Sequence, residues 1–182
     1  MRSLKKLVDQ LSNVLLVLGG VAMALMMINV VVDIVTRNVF RLAVPATLEL
    51  VSYYYMVAVA FLPLAFVQRY RGHVMIELFT LWLPARVNAF IDATVYLLGT
   101  IALGLFAYAS FGKAIYMTGI GEMQFGIIDV VVWPGRWFVP IGVGAMALQL
   151  ALQSIAEYAF ALFNAVIPGH RDLESLDHME QI

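Results

Sequence analysis

Four long apolar stretches dominate the chain, at residues about 11–36, 46–68, 87–112 and 134–163. A helix that crosses a bilayer needs about 20 predominantly apolar residues, and each stretch reaches that length. The pattern therefore predicts an all-α integral membrane protein with four transmembrane helices. Residues 1–167 are predicted to form a single membrane domain.

A fifth apolar segment, about 73–83, is too short to cross a bilayer. Its polar residues His73, Glu77 and Thr80 follow the spacing i, i+4, i+7, which places them on one stripe of an otherwise apolar helix. Trp82 adds an aromatic ring near its end. This pattern predicts a short amphipathic helix that lies along the membrane surface.

Composition supports a membrane location and excludes several other classes of protein. The chain is 63% hydrophobic and 13% charged, whereas soluble domains are about 45–50% apolar and about 25% charged. Its formal net charge of −1 provides no basic excess, so nucleic acid is not an expected partner. The absence of cysteine excludes disulfides, thiolate metal sites and a cysteine nucleophile.

Lysine and arginine residues indicate the orientation, because cytoplasmic connections carry an excess of them. Seven of the 11 lie before the first span, between the second and third spans, or in the tail. This distribution predicts that both termini lie in the cytoplasm, in a protein of a bacterial inner membrane. The tail at 168–182 is short and polar, and it is predicted to be disordered. Aromatic residues flanking the spans are predicted to anchor in membrane lipid at its interfaces: Tyr53, Tyr54, Tyr55, Trp133 and Trp137.

Three polar residues, Asn29, Asp33 and Arg37, follow one face of the first span at the spacing i, i+4, i+8. Polar groups at membrane depth usually face a partner or a cavity. Asp33 and Arg37 could therefore form a proton or ion site, or an ion pair that either snorkels to the membrane interface or docks a neighbouring helix. The ion pair is favoured, because these residues lie near a span end. Glu49 can reach Arg37 or Arg41 across the first connection, and we interpret it as part of a structural or interface pair.

Two further polar stripes lie on the third and fourth spans. Asn88 and Asp92 have the spacing i, i+4, and Gln149, Gln153 and Glu157 have the spacing i, i+4, i+8. Such stripes suit interhelical hydrogen bonds, either within the bundle or to another subunit.

The chain offers no candidate catalytic, metal or cofactor site. Haem anchors need axial ligands inside their helices, whereas His73, His170 and His178 lie in a connection and in the tail. The HExxH, GxSxG and Walker patterns are absent from the sequence. We therefore expect no enzymatic activity and no cofactor in this chain. A self-sufficient transporter is also disfavoured, because such proteins bind substrate between repeated halves and the sequence has no internal repeat.

Several short motifs resemble, in order and spacing, the small membrane subunit of tripartite ATP-independent periplasmic (TRAP) transporters. The resemblance covers about residues 10–160. It rests on these motifs: Arg37-x-x-Phe40, Glu49, Phe61-Leu-Pro-Leu-Ala65, Arg71-Gly-His-Val74, Glu77-Leu, Leu83-Pro84-x-Arg86, Gly121-Glu-Met, Trp133-Pro134 and Trp137-Phe-Val-Pro140-Ile-Gly142.

The resemblance implies four spans, cytoplasmic termini and two partners. One is a large permease subunit that moves as an elevator and holds the substrate and sodium sites; the other is a periplasmic solute-binding protein that delivers an organic acid. The chain would then be a scaffold, and its polar stripes would hold it against the large subunit. The alternative is a four-helix anchor or assembly subunit of another inner-membrane complex.

Overall fold

The structure is a computed structural model, and it describes residues 2–41, 47–70, 85–125 and 129–163. The predicted interfacial helix at 73–83 and the predicted tail at 168–182 lie outside these residues. Four helical segments are long and apolar enough to cross a membrane: Lys5–Val39, Thr47–Arg69, Phe90–Gly119 and Trp133–Ala159. The fold class predicted from the apolar pattern is thereby confirmed.

The four spans run alternately up and down. The first span is one helix, α1 (Arg2–Val39), and the third is α5 (Ala85–Gly119). The second span consists of four consecutive pieces: α2 (Thr47–Leu50), a π-helix (Val51–Tyr55), α3 (Met56–Phe61) and α4 (Leu64–Arg69). The fourth begins with a 3₁₀ helix (Trp133–Trp137) and continues as α6 (Phe138–Phe163). We call the end of the bundle that holds the chain's amino terminus the amino end.

The second span breaks at Pro63, as expected of a proline inside a helix. Proline has no backbone N–H and its ring clashes with the preceding turn, and α3 ends at Phe61 before α4 begins at Leu64. Gly19 of α1 faces this break: a Cβ there would lie 2.9 Å from Pro63 Cγ. The glycine therefore leaves room for the proline ring between the first two spans.

The third span is longer than the sequence predicts, because α5 continues past residue 112 to Gly119. It ends in a Schellman motif. Gly121 adopts a φ of 63°, its N–H donates to Thr118 O (3.2 Å), and the Glu122 N–H donates to Met117 O (3.1 Å). Gly112 lies inside α5 without ending the helix. The helix ends instead where Gly121 adopts the left-handed conformation.

Two short strands follow this turn, and the apolar pattern does not predict them. β1 (Met123–Gln124) pairs antiparallel with β2 (Val130–Val131). We call residues 122–132, of which 126–128 lie outside the description, the hairpin, and the end of the bundle that carries it the hairpin end. Strands of two residues are too short for an alternating pattern to identify.

The fourth span is the centre of the bundle. In its most apolar 18-residue window 44% of the residues are buried, against 11%, 17% and 11% in the first three spans. α6 packs along α5 and against the second span, while α1 packs mainly against the second span. The core is built from these small and branched side chains: Leu15, Ala58, Leu62, Ala65 and Ala145.

Glycines bring the backbones of the second and fourth spans into direct contact. A Cβ at Gly135 would overlap the carbonyl oxygen of Tyr53, and a Cβ at Gly142 would overlap that of Phe61. Small residues at helix interfaces allow this close approach in membranes, where packing rather than hydrophobic expulsion drives association.

We predict that Gly142→Ala separates the second and fourth spans and destabilises the purified chain by about 1–3 kcal/mol, the usual cost of overpacking. Gly144→Ala is the matched control on the same helix, because no atom lies within 4 Å of its added Cβ. Thermal unfolding in detergent measures both. An equal unfolding temperature for the two variants would contradict the close approach.

Candidate functional site

Polar side chains gather in two places, one toward each end of the bundle. The first, which we call the amino-end network, joins α1, α4 and α6. It consists of Asp9, Ser12, Asn13, Gln68, Arg69, Gln149 and Gln153.

Asp9 lies where three helices of the amino-end network meet. Its Oδ1 is 3.4 Å from Arg69 Nε and accepts a hydrogen bond from Gln149 Nε2 at 3.2 Å. The same Gln149 nitrogen donates to Ser12 Oγ at 3.1 Å. Arg69 Nη1 also donates to Asn13 Oδ1 at 3.1 Å. One carboxylate therefore links the first, second and fourth spans.

Gln68 and Gln153 form a buried pair between α4 and α6. Gln68 Nε2 donates to Gln153 Oε1 at 2.6 Å, and Gln153 Nε2 donates to the Gln68 carbonyl oxygen at 2.9 Å. Both side chains are buried. Each side-chain NH₂ group therefore donates to an oxygen of the other residue, and buried polar groups need such partners in a membrane interior.

The third and fourth spans share a separate set of polar contacts. Ser154 Oγ donates to the Ala93 carbonyl oxygen at 2.9 Å, and Thr94 Oγ1 lies 3.1 Å from the Tyr158 hydroxyl. Glu157 is 1% exposed, so its carboxyl group faces the interior of the bundle. Asp92 and Asn88 are half-buried near the start of α5.

The polar stripe predicted on the fourth span therefore lies inside the bundle. The sequence leaves open whether its residues bond within the chain or to another subunit, and the structure shows bonds within the chain for Gln149 and Gln153. Sequence reasoning missed their partners. Asp9 and Ser12 precede the most apolar part of α1, and Gln68 adjoins the cation Arg69, so all three resemble ordinary end residues.

A second polar cluster, which we call the hairpin clamp, fastens the hairpin to the second and fourth spans. It consists of Tyr53, Tyr54, Glu122, Gln124 and Arg136. The two tyrosines are consecutive residues of the π-helix. The Tyr53 hydroxyl donates to Gln124 Oε1 at 3.2 Å, and the Tyr54 hydroxyl donates to the carbonyl oxygen of Val131.

The clamp's ion pair joins Glu122 to Arg136, whose Nε and Nη2 both donate to the carboxylate. Bidentate pairs of this kind fix orientation as well as contributing energy. The hydrogen bond from Arg136 and its charge hold the pKa of Glu122 below its ordinary value of 4.5, although partial burial opposes the shift. The Glu122 carbonyl oxygen also accepts the Val132 N–H at 3.0 Å.

Three of the five predicted aromatic anchors form hydrogen bonds within the chain. Tyr53 and Tyr54 bond the hairpin, and Trp137 Nε1 donates to Thr118 Oγ1 at 3.1 Å. Tyr55 and Trp133 are half-buried. Anchoring at the membrane interface stays a prediction for all five.

The polar face of α1 toward the hairpin end contains one ion pair. Arg37 Nη2 lies 2.9 Å from Asp33 Oδ2, and the Asp33 side chain is 12% exposed against 63% for Arg37. Asn29 is half-buried on the same face. Among the described residues, Glu49 forms no ion pair with Arg37 or Arg41. Arg41 is exposed and has a φ of 54°.

The described residues include no group of three or more histidine, aspartate or glutamate side chains that could hold a metal ion. Polar groups instead join helix to helix. The four helices of spanning length identify the chain as a multi-pass membrane protein, and the polar contacts hold these helices together.

Comparison with known families assigns the chain more narrowly. The family described as "Tripartite ATP-independent periplasmic transporters, DctQ component" matches residues 26–159, from the middle of α1 nearly to the end of α6. The chain belongs to this family, as its motifs indicate, and is a component of a transporter. No curated protein and no solved structure matches it.

We predict that Gln68 and Gln153 are coupled by about 1 kcal/mol, the scale measured for interhelical hydrogen bonds in lipid. Gln68→Leu, Gln153→Leu and the double variant form the cycle, and unfolding in detergent provides the free energies. The control cycle pairs Gln153→Leu with Thr118→Val, which lies at the hairpin end, and distant sites add independently. Coupling as weak in the first cycle as in the second would contradict the pair.

For the hairpin clamp we predict stability that depends on an ionised Glu122. Because the folded-state pKa lies below 4.5, this contribution is complete above pH 4.5 and is lost as the pH falls through the lowered value. Glu122→Gln should lower the unfolding temperature at pH 7 and should lose less stability on acidification. Asp129→Asn, an exposed change on the same hairpin, is the control. A Glu122→Gln variant with the wild-type pH profile would refute the prediction.

Proposed function

We propose that this chain is the small permease subunit of a TRAP-type secondary transporter. It would scaffold a large elevator-type permease during sodium-coupled uptake of an organic acid, which a periplasmic binding protein delivers. The observation that carries the proposal is the family match over residues 26–159, which includes parts or all of the four spans. Substrate and sodium sites would belong to the large subunit.

The use of polar groups inside the bundle supports a scaffolding role. The amino-end network is built from residues that bond to other helices of the same chain. Such bonds make the bundle a fixed unit rather than a set of gates. Membrane-embedded ionisable groups in a transport path would instead face a cavity.

The apolar outer surfaces of α1 and α5 leave room for a partner in the plane of the membrane. Only 11% of the most apolar window of each is buried within the chain. Large side chains project from both, as Met27 and Ile28 do from α1 and Leu98 and Leu105 from α5. Helices of a large subunit and lipid would share these surfaces.

We further propose that the chain lies in the inner membrane with both termini in the cytoplasm. The support is the distribution of lysine and arginine along the sequence: seven of the 11 lie before the first span, between the second and third spans, or after the fourth. The hairpin would then face the periplasm, where the binding protein arrives.

We predict that affinity purification from native membranes in mild detergent recovers a stoichiometric partner of about a dozen spans, because a scaffold requires its permease. Glu49→Ala should reduce that recovery, since Glu49 is half-exposed with no ion-pair partner among the described residues, and Asp33→Ala should reduce it by freeing Arg37. Mass spectrometry identifies and quantifies the partner.

Lys6→Ala, an exposed change at the amino end, serves as the control and should leave the partner's recovery unchanged. A chain that returns alone, or with a redox or secretion complex, would refute the transporter role and favour the membrane-anchor alternative. Full recovery with both carboxylate variants would leave the transporter role standing and remove the interface role of Asp33 and Glu49.

A further inference from the structure

The second and fourth spans touch through their backbones at two points, and these points are spaced differently along the two spans. Both spans run from the hairpin end to the amino end. Gly135 meets the carbonyl oxygen of Tyr53, and Gly142 meets that of Phe61. The two glycines are seven residues apart, whereas the two carbonyl residues are eight residues apart. The second span therefore has one residue more than the fourth between the same two contacts.

Two residues of one helix can face the same neighbour only if they lie close to a whole number of turns apart. Seven α-helical residues make about 1.9 turns and satisfy this condition, but eight residues make about 2.2 turns. In a regular α-helix, Tyr53 would thus be rotated by about 80° from the side on which Phe61 lies. A second span that was α-helical throughout could not hold both carbonyl groups against the fourth span.

The π-helix at Val51–Tyr55 supplies the missing adjustment in rotation. The Met56 N–H donates to the carbonyl oxygen of Val51, which is five residues back rather than four. A turn closed by such a bond contains more residues than an α-helical turn, so each residue contributes less rotation. Tyr53 is thereby brought back toward the side of the helix on which Phe61 lies.

The 3₁₀ helix at the start of the fourth span adjusts the length. Gly135 lies inside it, and the Gly135 N–H donates to Val132 O, three residues back, at 3.1 Å. A 3₁₀ helix rises about 2.0 Å per residue, against about 1.5 Å for an α-helix. The segment from Gly135 to Gly142 is therefore about 11.5 Å long rather than about 10.5 Å. Eight α-helical residues of the second span would cover a similar length, about 12 Å.

We propose that the second span carries one surplus residue, that its π-helix absorbs this residue, and that the 3₁₀ helix of the fourth span matches the resulting length. Together the two irregular turns keep both glycine contacts on one side of each span. They also set the Tyr53 and Tyr54 hydroxyls against the hairpin, because both tyrosines belong to the π-helix. The register of the hairpin end is thus fixed within this chain, independently of the proposed transporter role.

Deletion of Met56, whose side chain is exposed, tests the surplus residue directly. Without Met56, Tyr53 lies seven residues from Phe61, so a regular α-helix can hold both carbonyl groups on one side. Deletion of Leu148 is the matched control: this residue is also exposed, but it lies in continuous α6 between Gly142 and the amino-end network. Thermal unfolding of the full chain in detergent measures both deletions.

We expect the deletion of Met56 to lower the unfolding temperature far less than the deletion of Leu148, which rotates the network residues of α6 by about 100° relative to Gly142. Gly135→Ala should lower the unfolding temperature of the wild-type chain, because its added Cβ overlaps the Tyr53 carbonyl oxygen. The decrease should be the same in the chain that lacks Met56, because Tyr53 still faces Gly135 there.

Two outcomes would overturn the proposal. One is a Met56 deletion as damaging as the Leu148 deletion, including a chain that does not fold, because the residue would then not be surplus. The other is a chain without Met56 that folds but tolerates Gly135→Ala, because Tyr53 would then have moved away from the fourth span.

Discussion

The contact between the second and fourth spans is the constraint on which the rest of the bundle depends. Gly135 and Gly142 allow the fourth span to touch the carbonyl groups of Tyr53 and Phe61. At that separation Gln68 donates to the Gln153 side-chain oxygen, and Gln153 donates to the Gln68 backbone carbonyl. In lipid there is little hydrophobic force between helices, so this close packing and its polar bonds must supply the association energy.

Polar groups in this chain serve mainly to connect its own helices. Asp9 draws α1 onto α4 and α6, and Ser154 holds α6 to α5 through the Ala93 carbonyl. The fourth span takes part in most of these bonds and is accordingly the most buried. A bundle organised around one central helix leaves the outer faces of α1 and α5 available to lipid and to a partner subunit, which suits a component of a larger transporter.

The hairpin end is organised differently: the hairpin is bonded to the ends of the second and fourth spans, and no buried core forms there among the described residues. The π-helix sets Tyr53 and Tyr54 so that both hydroxyls reach the hairpin, and π-turns often occur where a function requires an altered helix register. The Glu122–Arg136 ion pair joins the hairpin to the start of the fourth span. The hydrogen bond from Arg136 lowers the pKa of Glu122, so this ion pair persists to lower pH than it would with an ordinary carboxyl group.

The sequence by itself determined the number of spans, the break at Pro63 and the family, because span length, the missing proline N–H and ordered motifs are local properties of the chain. It also placed Gln149 and Gln153 on one stripe, but it could not say what they meet. Their partners Asp9, Ser12 and Gln68 lie about 80–140 residues away in the chain. The end of α5 at Gly119 and the two short strands likewise escaped the apolar pattern. Only the tertiary structure decided these features, because the distance between two helices determines which of their side chains can bond. Glycines such as Gly142 set that distance by allowing contact with a backbone carbonyl, here that of Phe61, which is far away in the sequence.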